Sequence, residues 1–466
     1  MGGKMKYSLP LITLVFSALP TTLWADCLSG EEVAQNTDVV LYAQTSYVNK
    51  QPSIWQVGGN NPFSKSNIYN NFGINLKGGC AIIDNQLDLN FSLYGITYRP
   101  LHANSGFEED RSHSRALIDR LSVIYNVSDS VQLEAGKFSQ KAGLFFLRSP
   151  ADLRNSYYAG FKSTRLYDPL MEPVFQESPW QVKLSEDTQD YSLSFSVVPK
   201  LADAGKRHLA SGDWSANVRS NSREDYLLNY TDHRFEKHLP TASLLLGETR
   251  SVAISDSYNL TPQLVINAEA AYHTEQQWRH FSPENAAMVE EFEFPSSLYS
   301  TQEKEGVEVA VGGQYATDNF NLFGLEYYYQ SEGYSRAEWR KQTDFIQSLN
   351  SRTGFFFIDD IFDSYKYLMA SEINNTANKK MLQGKHYLNT WSSIQMDNQS
   401  TLQPYVVFNL VDHSSVLGVN YNTPLNIIDD RLEGYTGAFM STGSSDSEFA
   451  LYGDMFGVYL GLKYYM

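Results

Sequence analysis

The chain has 466 residues, of which 42% are hydrophobic and 14% aromatic, including 31 Tyr and 26 Phe. It carries 36 Lys and Arg against 53 Asp and Glu, a formal net charge of −17, which argues against nucleic acid as a partner. The length would accommodate about two or three ordinary domains, but no linker-like change of composition divides the chain, so we expect one large domain.

The first 25 residues are typical of a secretory signal peptide. Two lysines precede a mostly apolar run at 9–25, and cleavage after Ala25 would leave Asp26 at the new N-terminus. Two prolines interrupt the run, which is too short for a membrane anchor, and Asp26 before Cys27 does not suit a lipoprotein. No second apolar run of about 20 residues follows, so a membrane location would require a β-barrel.

Cys27 and Cys80 are the two cysteines of the chain. In the oxidising periplasm we expect them to pair, which would tie the N-terminal segment to the first periplasmic turn. A chemical role for the thiols is the alternative. A metal site is not expected, because the cysteines are far apart and lack a neighbouring histidine.

Alternating apolar and polar residues between clusters of Gly, Asn, Asp and Ser predict eighteen β-strands, with sixteen as the alternative. The clearest hairpin begins at 306, where Val307, Val309 and Val311 share one face while Glu308 and Ala310 lie on the other. The predicted strands are 38–48, 67–79, 86–98, 115–127, 130–138, 180–185, 191–199, 224–233, 240–246, 250–259, 263–273, 306–315, 319–330, 386–396, 401–411, 415–421, 432–440 and 456–466.

The last predicted strand, 456–466, places apolar side chains at every second position over a length that can cross a bilayer. It resembles the final strand of Gram-negative outer-membrane β-barrels, which usually end on an aromatic residue, whereas here Met466 is last. The resemblance implies an outer-membrane location, contact with lipids and lipopolysaccharide, and assembly by the barrel assembly machinery through this strand. A terminal strand of a soluble, Tyr-rich β-sandwich is the alternative.

The connections between the predicted strands alternate between long and short. The long ones, at 99–114, 139–179, 200–223, 274–304 and 331–385, would all lie on one side if the N-terminus is periplasmic; the last also contains a predicted amphipathic helix at 336–350. Long extracellular loops over short periplasmic turns are typical of transmembrane barrels. We therefore predict a signal peptide at 1–25, a periplasmic segment at 26–37 and an all-β antiparallel outer-membrane barrel at 38–466.

Charge is unevenly distributed along the chain. Residues 111–165 contain nine basic residues against four acidic ones, a local charge of +5. A charge at the lipid midplane costs about 2–4 kcal/mol for Arg or Lys, so strand charges are expected to point into the lumen. We predict a basic pore wall opposite an acidic wall, the first formed by Arg120, Lys137, Arg148 and Arg154, and the second by Glu269, Glu308 and Glu326.

Two features of this predicted pore leave alternatives open. Residues 143–155 could fold into the barrel and narrow it, and a field between the two walls would then select small polar solutes. The charges could instead be a solvated lining without selectivity. Lys137 shares its face with Val131 and Leu133, so it could lie at the outer rim rather than in the lumen.

The chain resembles the monomeric substrate-selective porins and the alginate-export barrels. The resemblance rests on the eighteen predicted strands, the lack of a plug domain and the basic segment. The resemblance covers the architecture of the mature chain, with no motif matched residue by residue. It implies a channel for passive diffusion or export of a small or polymeric anionic solute. We expect no cofactor.

An outer-membrane hydrolase and a surface adhesin or structural barrel are the alternative functions. His413 beside Ser414 and Ser415 is the candidate nucleophile arrangement, although a turn stabilised by a hydroxyl group explains it more simply. No zinc spacing or phosphate-binding loop is present. Six acids at 284–305 could bind cations that bridge lipopolysaccharide or could simply be solvated.

Overall fold

Eighteen antiparallel strands form one closed sheet in the computed structural model, because every strand pairs with its neighbours in sequence and the first pairs with the last. The structure describes residues 27, 30–58, 60–61, 66–101, 113–140, 143–154, 157–158, 176–203, 220–301, 304–378 and 381–466. The predicted signal peptide lies outside the described residues. The predicted fold class and strand number are confirmed.

We number the barrel strands in chain order. They are β1 Thr37–Lys50, β2 Ile68–Ile83, β3 Leu87–Pro100, β4 His113–Asn126, β5 Val131–Lys137, β6 Trp180–Asp187, β7 Tyr191–Val198, β8 Asp225–Asp232, β9 Thr241–Gly247, β10 Ser251–Asn259, β11 Leu264–His273, β12 Gly306–Ala316, β13 Leu322–Gln330, β14 His386–Gln395, β15 Thr401–Asn409, β16 Ser415–Pro424, β17 Leu432–Thr442 and β18 Asp454–Tyr465. Two further ladders of two residues per strand lie in the connections, Tyr157–Tyr158 with Gln176–Glu177 and His280–Phe281 with Tyr299–Ser300.

The alternation in sequence becomes two chemically distinct faces of the sheet. On β12, Glu308 is 4% exposed and points inward, whereas Val311 is 44% exposed and points to the outside. A strand places successive side chains on opposite faces, so one apolar row contacts lipid while the other row lines the lumen. This is the face assignment predicted for the β12–β13 hairpin.

A β-bulge at Asp119 interrupts the ladder between β3 and β4. Ser92 of β3 pairs with Arg120, while Leu93 pairs with Ile118. The extra residue reverses the alternation, so Leu117 is buried on the same side as Arg120 instead of sharing the outward face of Val123. Arg120 keeps its predicted inward position.

Helices lie in the N-terminal segment and in the long connections. They are α1 Gly30–Gln35, α2 Pro283–Glu290, α3 Arg336–Ser348, α4 Phe356–Asn378 and a short 3₁₀ turn at Glu448–Ala450. Of the described helices, none combines the length and apolar character needed to cross a membrane. The predicted helix at 336–350 is confirmed as α3, which begins with a capping box between Ser335 and Glu338 and ends two residues early. Helix α4 was not predicted.

The extracellular connections pack together into a cap with its own apolar core. Trp55 and Leu451 come from two other connections than Ile346 and Met369, which both lie between β13 and β14, and all four are no more than 1% exposed. Hydrogen bonds join the same segments: Asn350 Nδ2 donates to the Ile54 carbonyl at 2.7 Å, Tyr452 Oη to the Ala370 carbonyl at 2.8 Å, and Trp339 Nε1 to the Asp446 carbonyl at 2.8 Å. Burial of large apolar side chains makes these connections a folded unit rather than separate loops.

The N-terminal segment is attached to the periplasmic end of β2. Cys27 and Cys80 are joined as a disulfide with their Cα atoms 5.2 Å apart, and Cys80 lies three residues before the end of β2. Thr37 Oγ1 also donates to the Val33 carbonyl of α1 at 2.5 Å, which fixes the helix at the start of β1. Both contacts hold the segment beside the first periplasmic turn.

Candidate functional site: a segment held inside the lumen

Three glutamates lie side by side on the inner wall of neighbouring strands. Glu269 of β11 is opposite Ala310 of β12, and Glu326 of β13 is opposite Gly312 of the same strand. Glu308 lies on β12, two residues before Ala310. The three side chains are 2–4% exposed. A buried carboxylate requires charged or hydrogen-bonding partners, and a single segment of chain supplies most of them.

That segment is residues 143–154, which follow β5 and which we call the narrowing segment. Glu269 accepts hydrogen bonds from the backbone N–H of Leu144, from Ser149 Oγ at 2.5 Å and from the backbone N–H of Ala151 at 2.9 Å. One carboxylate therefore fixes both ends of an eight-residue stretch, 144–151. Because a charged acceptor strengthens each bond, Glu269 is a strong anchor.

Glu326 holds the middle of the narrowing segment. Its Oε1 accepts from the Phe146 N–H at 2.9 Å, and its Oε2 accepts from the Leu147 N–H at 3.1 Å. The same carboxylate accepts from Asn389 Nδ2 at 2.9 Å and from Trp391 Nε1 at 3.2 Å, both on β14. These bonds fix Glu326 against the wall while it binds the backbone of the segment.

Arg148 provides the third connection, through an ion pair with Glu308. Arg148 Nε lies 3.2 Å from Glu308 Oε2, and its Nη2 lies 3.2 Å from Oε1. Tyr328 Oη donates to the same carboxylate at 2.9 Å, and His273 Nε2 lies 3.2 Å from it. The carboxylate is thus satisfied on both oxygens, as a buried ion pair requires.

The predicted acidic wall is therefore assembled, but it does not face Arg148 across an open pore. Arg148 contacts Glu308 directly, and the carboxylates of Glu269 and Glu326 bind backbone N–H groups. The prediction that the basic and acidic walls lie opposite each other is wrong for Arg148. The narrowing segment reaches the acidic wall, and its donors form hydrogen bonds with the buried carboxylates. The sequence left open whether 143–155 folds into the barrel, and these contacts place residues 143–154 there.

Arg154, the last described residue of the segment, has a different environment. Its guanidinium donates to Gln181 Oε1 at 3.0 Å, to Ser196 Oγ at 2.7 Å, and to the backbone carbonyls of Ser196 and Asp225 at 3.1 and 3.2 Å. All of these acceptors are neutral oxygens on the inner wall of β6–β8. The hydrogen bonds orient the guanidinium, and the carboxylates of Asp152 and Asp225 act on its charge through space.

Arg120 and Lys137, the remaining members of the predicted basic wall, are placed apart from this segment's anchors. Arg120 Nη2 lies 2.5 Å from Glu134 Oε1, and its side chain is 40% exposed. Lys137 ends β5 and is 2% exposed. Its ladder partners, Leu121 and Trp180, lie in the outward rows of Val123 and Val182, so the choice between outer rim and lumen stays a prediction for this covered side chain.

Several residues of this site were absent from the sequence prediction. His273 and Tyr328 lie on the inward faces already assigned to β11 and β13, so the same alternation could have identified them. Asn389 and Trp391 are likewise two residues apart on β14. Ser149 gave no signal in sequence, since its role depends on where the segment folds.

Aromatic rings that lie over glycines of the neighbouring strand are a second feature of the inner wall. Tyr405 of β15 is directly opposite Gly418 of β16, and Tyr435 of β17 is opposite Gly461 of β18. A Cβ atom at Gly418 or Gly461 would lie 2.3 or 2.2 Å from the respective tyrosine ring. Further inward pairs of this type are Tyr42 with Gly73, Trp391 with Gly324, Phe439 with Gly457, and Tyr459 with Gly437. The glycines let these rings rest against the wall.

The residues considered for a hydrolase or for cation binding have structural roles in this fold. Ser414 Oγ donates to Asp412 Oδ1 at 2.6 Å, and His413 adopts a positive φ of 65° in the turn between β15 and β16. The hydroxyl group therefore stabilises the turn. Of the acids at 284–305, Glu284 lies in the first turn of α2, where it favours the N-terminus of the helix.

No protein-family model matches this chain, and no curated protein matches it in sequence. Solved structures do match it in fold. OccAB1 of Acinetobacter baumannii is similar over 92% of this chain and 96% of its own, with 10% identity and a TM-score of 0.53. OccK11 (OpdR) of Pseudomonas aeruginosa is similar over 92% of this chain and 95% of its own, with 9% identity and a TM-score of 0.50. The fold is therefore that of an outer-membrane porin-type barrel.

Proposed function

We propose that this protein is a porin-like channel of the outer membrane, through which small polar solutes diffuse past the narrowing segment. The observation that supports it most is the attachment of that segment to the inner wall by Glu269, Glu308 and Glu326. A loop held within the lumen by buried charges reduces the width of a pore while leaving the wall intact. Passage then depends on size and on the charge of the groups that remain unpaired.

The inner aromatic rings lie against the glycines of the wall, and Tyr405 and Phe439 also pack with Tyr69 and Tyr98 in a buried cluster. Each ring occupies the space that a side chain at the opposite glycine would need.

We further propose a preference for anionic solutes, now attributed mainly to Arg154. Arg148 is compensated by Glu308, and Arg120 is compensated by Glu134. The hydrogen bonds of Arg154 go to neutral acceptors, and the carboxylates of Asp152 and Asp225 offset its charge through space rather than by a direct hydrogen bond to the guanidinium in the bonds described above. A fixed cation on the wall attracts anions and repels cations, and the low dielectric constant of the surroundings strengthens the effect.

Conductance in planar lipid bilayers tests the channel, with the purified, refolded protein and a boiled sample as the control. Discrete steps of current in the folded sample, together with swelling of liposomes in small sugars, are the expected result. Absence of both would favour the adhesin or structural barrel. Release of fatty acid or peptide from added substrates would instead favour the hydrolase.

A further inference from the structure

The outer surface of the barrel carries a groove of about 600 Å³ across β8–β12. One row of directly paired residues crosses it, and consists of Tyr230, Ala242, Ile254, Ala270 and Val309. All five belong to the outward-facing set of their strands. Two alanines in this row replace the large apolar residues that the lipid face has elsewhere, so the surface is recessed.

Ala268 and Val311 extend the groove in the next outward row. Ala268 pairs with Asp256 on one side and with Val311 on the other. The side of the groove that faces the membrane interior is therefore made of alanine, valine and isoleucine. Its volume lies within the range of about 300–1,000 Å³ that is typical of small-molecule sites.

One end of the groove lies at the periplasmic rim and is charged. Asp232 and Asp256 line that end. Asp232 lies 2.5 Å from Arg234, whose side chain is 62% exposed, and Asp256 lies 2.8 Å from His238. Two carboxylates, a guanidinium and an imidazole therefore stand together next to an apolar recess.

We propose that this groove binds one phospholipid of the periplasmic leaflet with a zwitterionic headgroup, as in phosphatidylethanolamine. An acyl chain would lie over Ala242, Ala268 and Ala270. The headgroup ammonium would be placed near Asp256 or Asp232, and its phosphate near Arg234. Charged groups of both signs at the mouth complement the two charges of such a headgroup.

A second copy of the chain fits the groove less well. Ile254 projects from the middle of the row and is 62% exposed, so a rigid barrel face would meet it before reaching the alanines. Docking of a barrel would also bury the Asp232–Arg234 ion pair and the carboxylate of Asp256, which is costly. A flexible acyl chain can pass beside Ile254 and leave the charges at the headgroup level.

Native mass spectrometry of the full chain, purified in detergent and supplied with palmitoyl-oleoyl phosphatidylethanolamine, tests the proposal. The parent is expected to retain one lipid. An Ala268→Phe/Ala270→Phe variant fills the groove and should lower the occupancy at least about tenfold, equivalent to about 1.4 kcal/mol. Ala135→Phe, at an exposed outward position of β5, is the matched control and should retain the lipid. If the double variant does not fold, Ala242→Leu takes its place.

Equal lipid retention by the parent and the groove variants would overturn the proposal, as would an equal loss in the Ala135→Phe control. A parent that is dimeric by light scattering, and monomeric when the groove is filled, would assign the groove to a second copy. An Arg234→Gln variant should lose the preference for phosphatidylethanolamine over an uncharged diacylglycerol. The groove opens away from the lumen, but Ala268 and Ala270 flank Glu269, which also lines it, so conductance is measured for every variant. Unchanged conductance is expected, and the two proposals fail or succeed separately.

Discussion

The guanidinium of Arg148 and the carboxylate of Glu308 form a two-point ion pair inside the barrel, although 160 residues separate them in sequence. Their side chains are 5% and 6% exposed. The ion pair attaches the connection after β5 to strand β12. The ion pair holds residues 143–154 against β12, so the width of the lumen beside β12 depends on it.

Replacement of Arg148 by Met is expected to release the narrowing segment. The substitution leaves Glu308 buried without its cation, at a cost of about 3–5 kcal/mol. Single-channel recordings should show a larger and noisier conductance. An Arg148→Met/Glu308→Gln double variant removes both charges and should be less destabilised in heat-modifiability assays; equal loss in both would contradict an ion pair.

Arg154→Gln should shift ion selectivity toward cations, because the guanidinium is the charge whose hydrogen bonds all go to neutral acceptors. Reversal potentials in a salt gradient measure the shift. Arg154→Lys should keep most of the parent's selectivity. Arg431→Gln, at an exposed position in the turn after β16, is the control and should leave the reversal potential unchanged. A shift as large in the control would remove Arg154 from the selectivity mechanism.

Gly418→Val should lower conductance by displacing the Tyr405 ring. A Cβ atom at this position would lie 2.3 Å from the ring, so the ring must move away from the wall and into the lumen. Overpacking of this kind costs about 1–3 kcal/mol. Adding Tyr405→Ala to the Gly418→Val variant should restore the conductance. If the single variant conducts like the parent, the rings do not limit the pore.

Cys27 and Cys80 should be found linked when peptides of the non-reduced protein are mapped by mass. Replacing both by Ser is expected to cost about 2–5 kcal/mol, because the crosslink restricts the unfolded chain. The melting temperature in detergent, measured with and without reductant, compares the reduced protein with the disulfide-bonded one. Two free thiols in the native protein would disprove the pairing.

The stability of the cap is expected to depend on pH because of Glu448, which lies in the connection between β17 and β18. Burial raises the pKa of its carboxyl to about 7, and the neighbouring Asp412 adds to the rise. Since the unfolded value is near 4.5, the folded form holds its proton longer, and this contribution to stability is fully present below pH 4.5. It declines as the pH rises to about 7 and is lost above that value.

Amide hydrogen exchange in 443–453, corrected for the intrinsic effect of pH, measures this loss. Glu448→Gln should make the protection of the segment nearly independent of pH, because an amide can still accept from Tyr387 Oη and Asn409 Nδ2. A parent whose protection is constant from pH 4.5 to 8 would contradict the role of Glu448.

The barrel could be predicted from the sequence because membrane burial imposes a local rule. Val307, Val309 and Val311 alternate with Glu308 and Ala310, and a strand turns that period directly into a lipid face and a lumen face. Each strand also pairs with its neighbours in sequence, so topology follows once the strands are found. The same local signal placed the inward charges at Glu269, Glu308 and Glu326.

Helix α4 could not be predicted from the local sequence pattern alone. Tyr365, Met369 and Ile373 recur every four residues and are buried in the cap, a helical spacing that the run of phenylalanines before them obscured. Their burial depends on segments as distant as Trp55 and Leu451. The packing of the cap is therefore a property of several connections together.

The sequence alone determined which residues could face the lumen, and the tertiary structure decided what they do there. Alternation fixes the side of the sheet on which a charge lies, but it contains no information on the path of the connection after β5. Arg148 and Glu308 became partners, and the backbone of 144–151 became the partner of Glu269, because that connection folds back against β11–β13. A buried carboxylate must be satisfied by whichever donor reaches it, and only the three-dimensional path of the chain sets that choice.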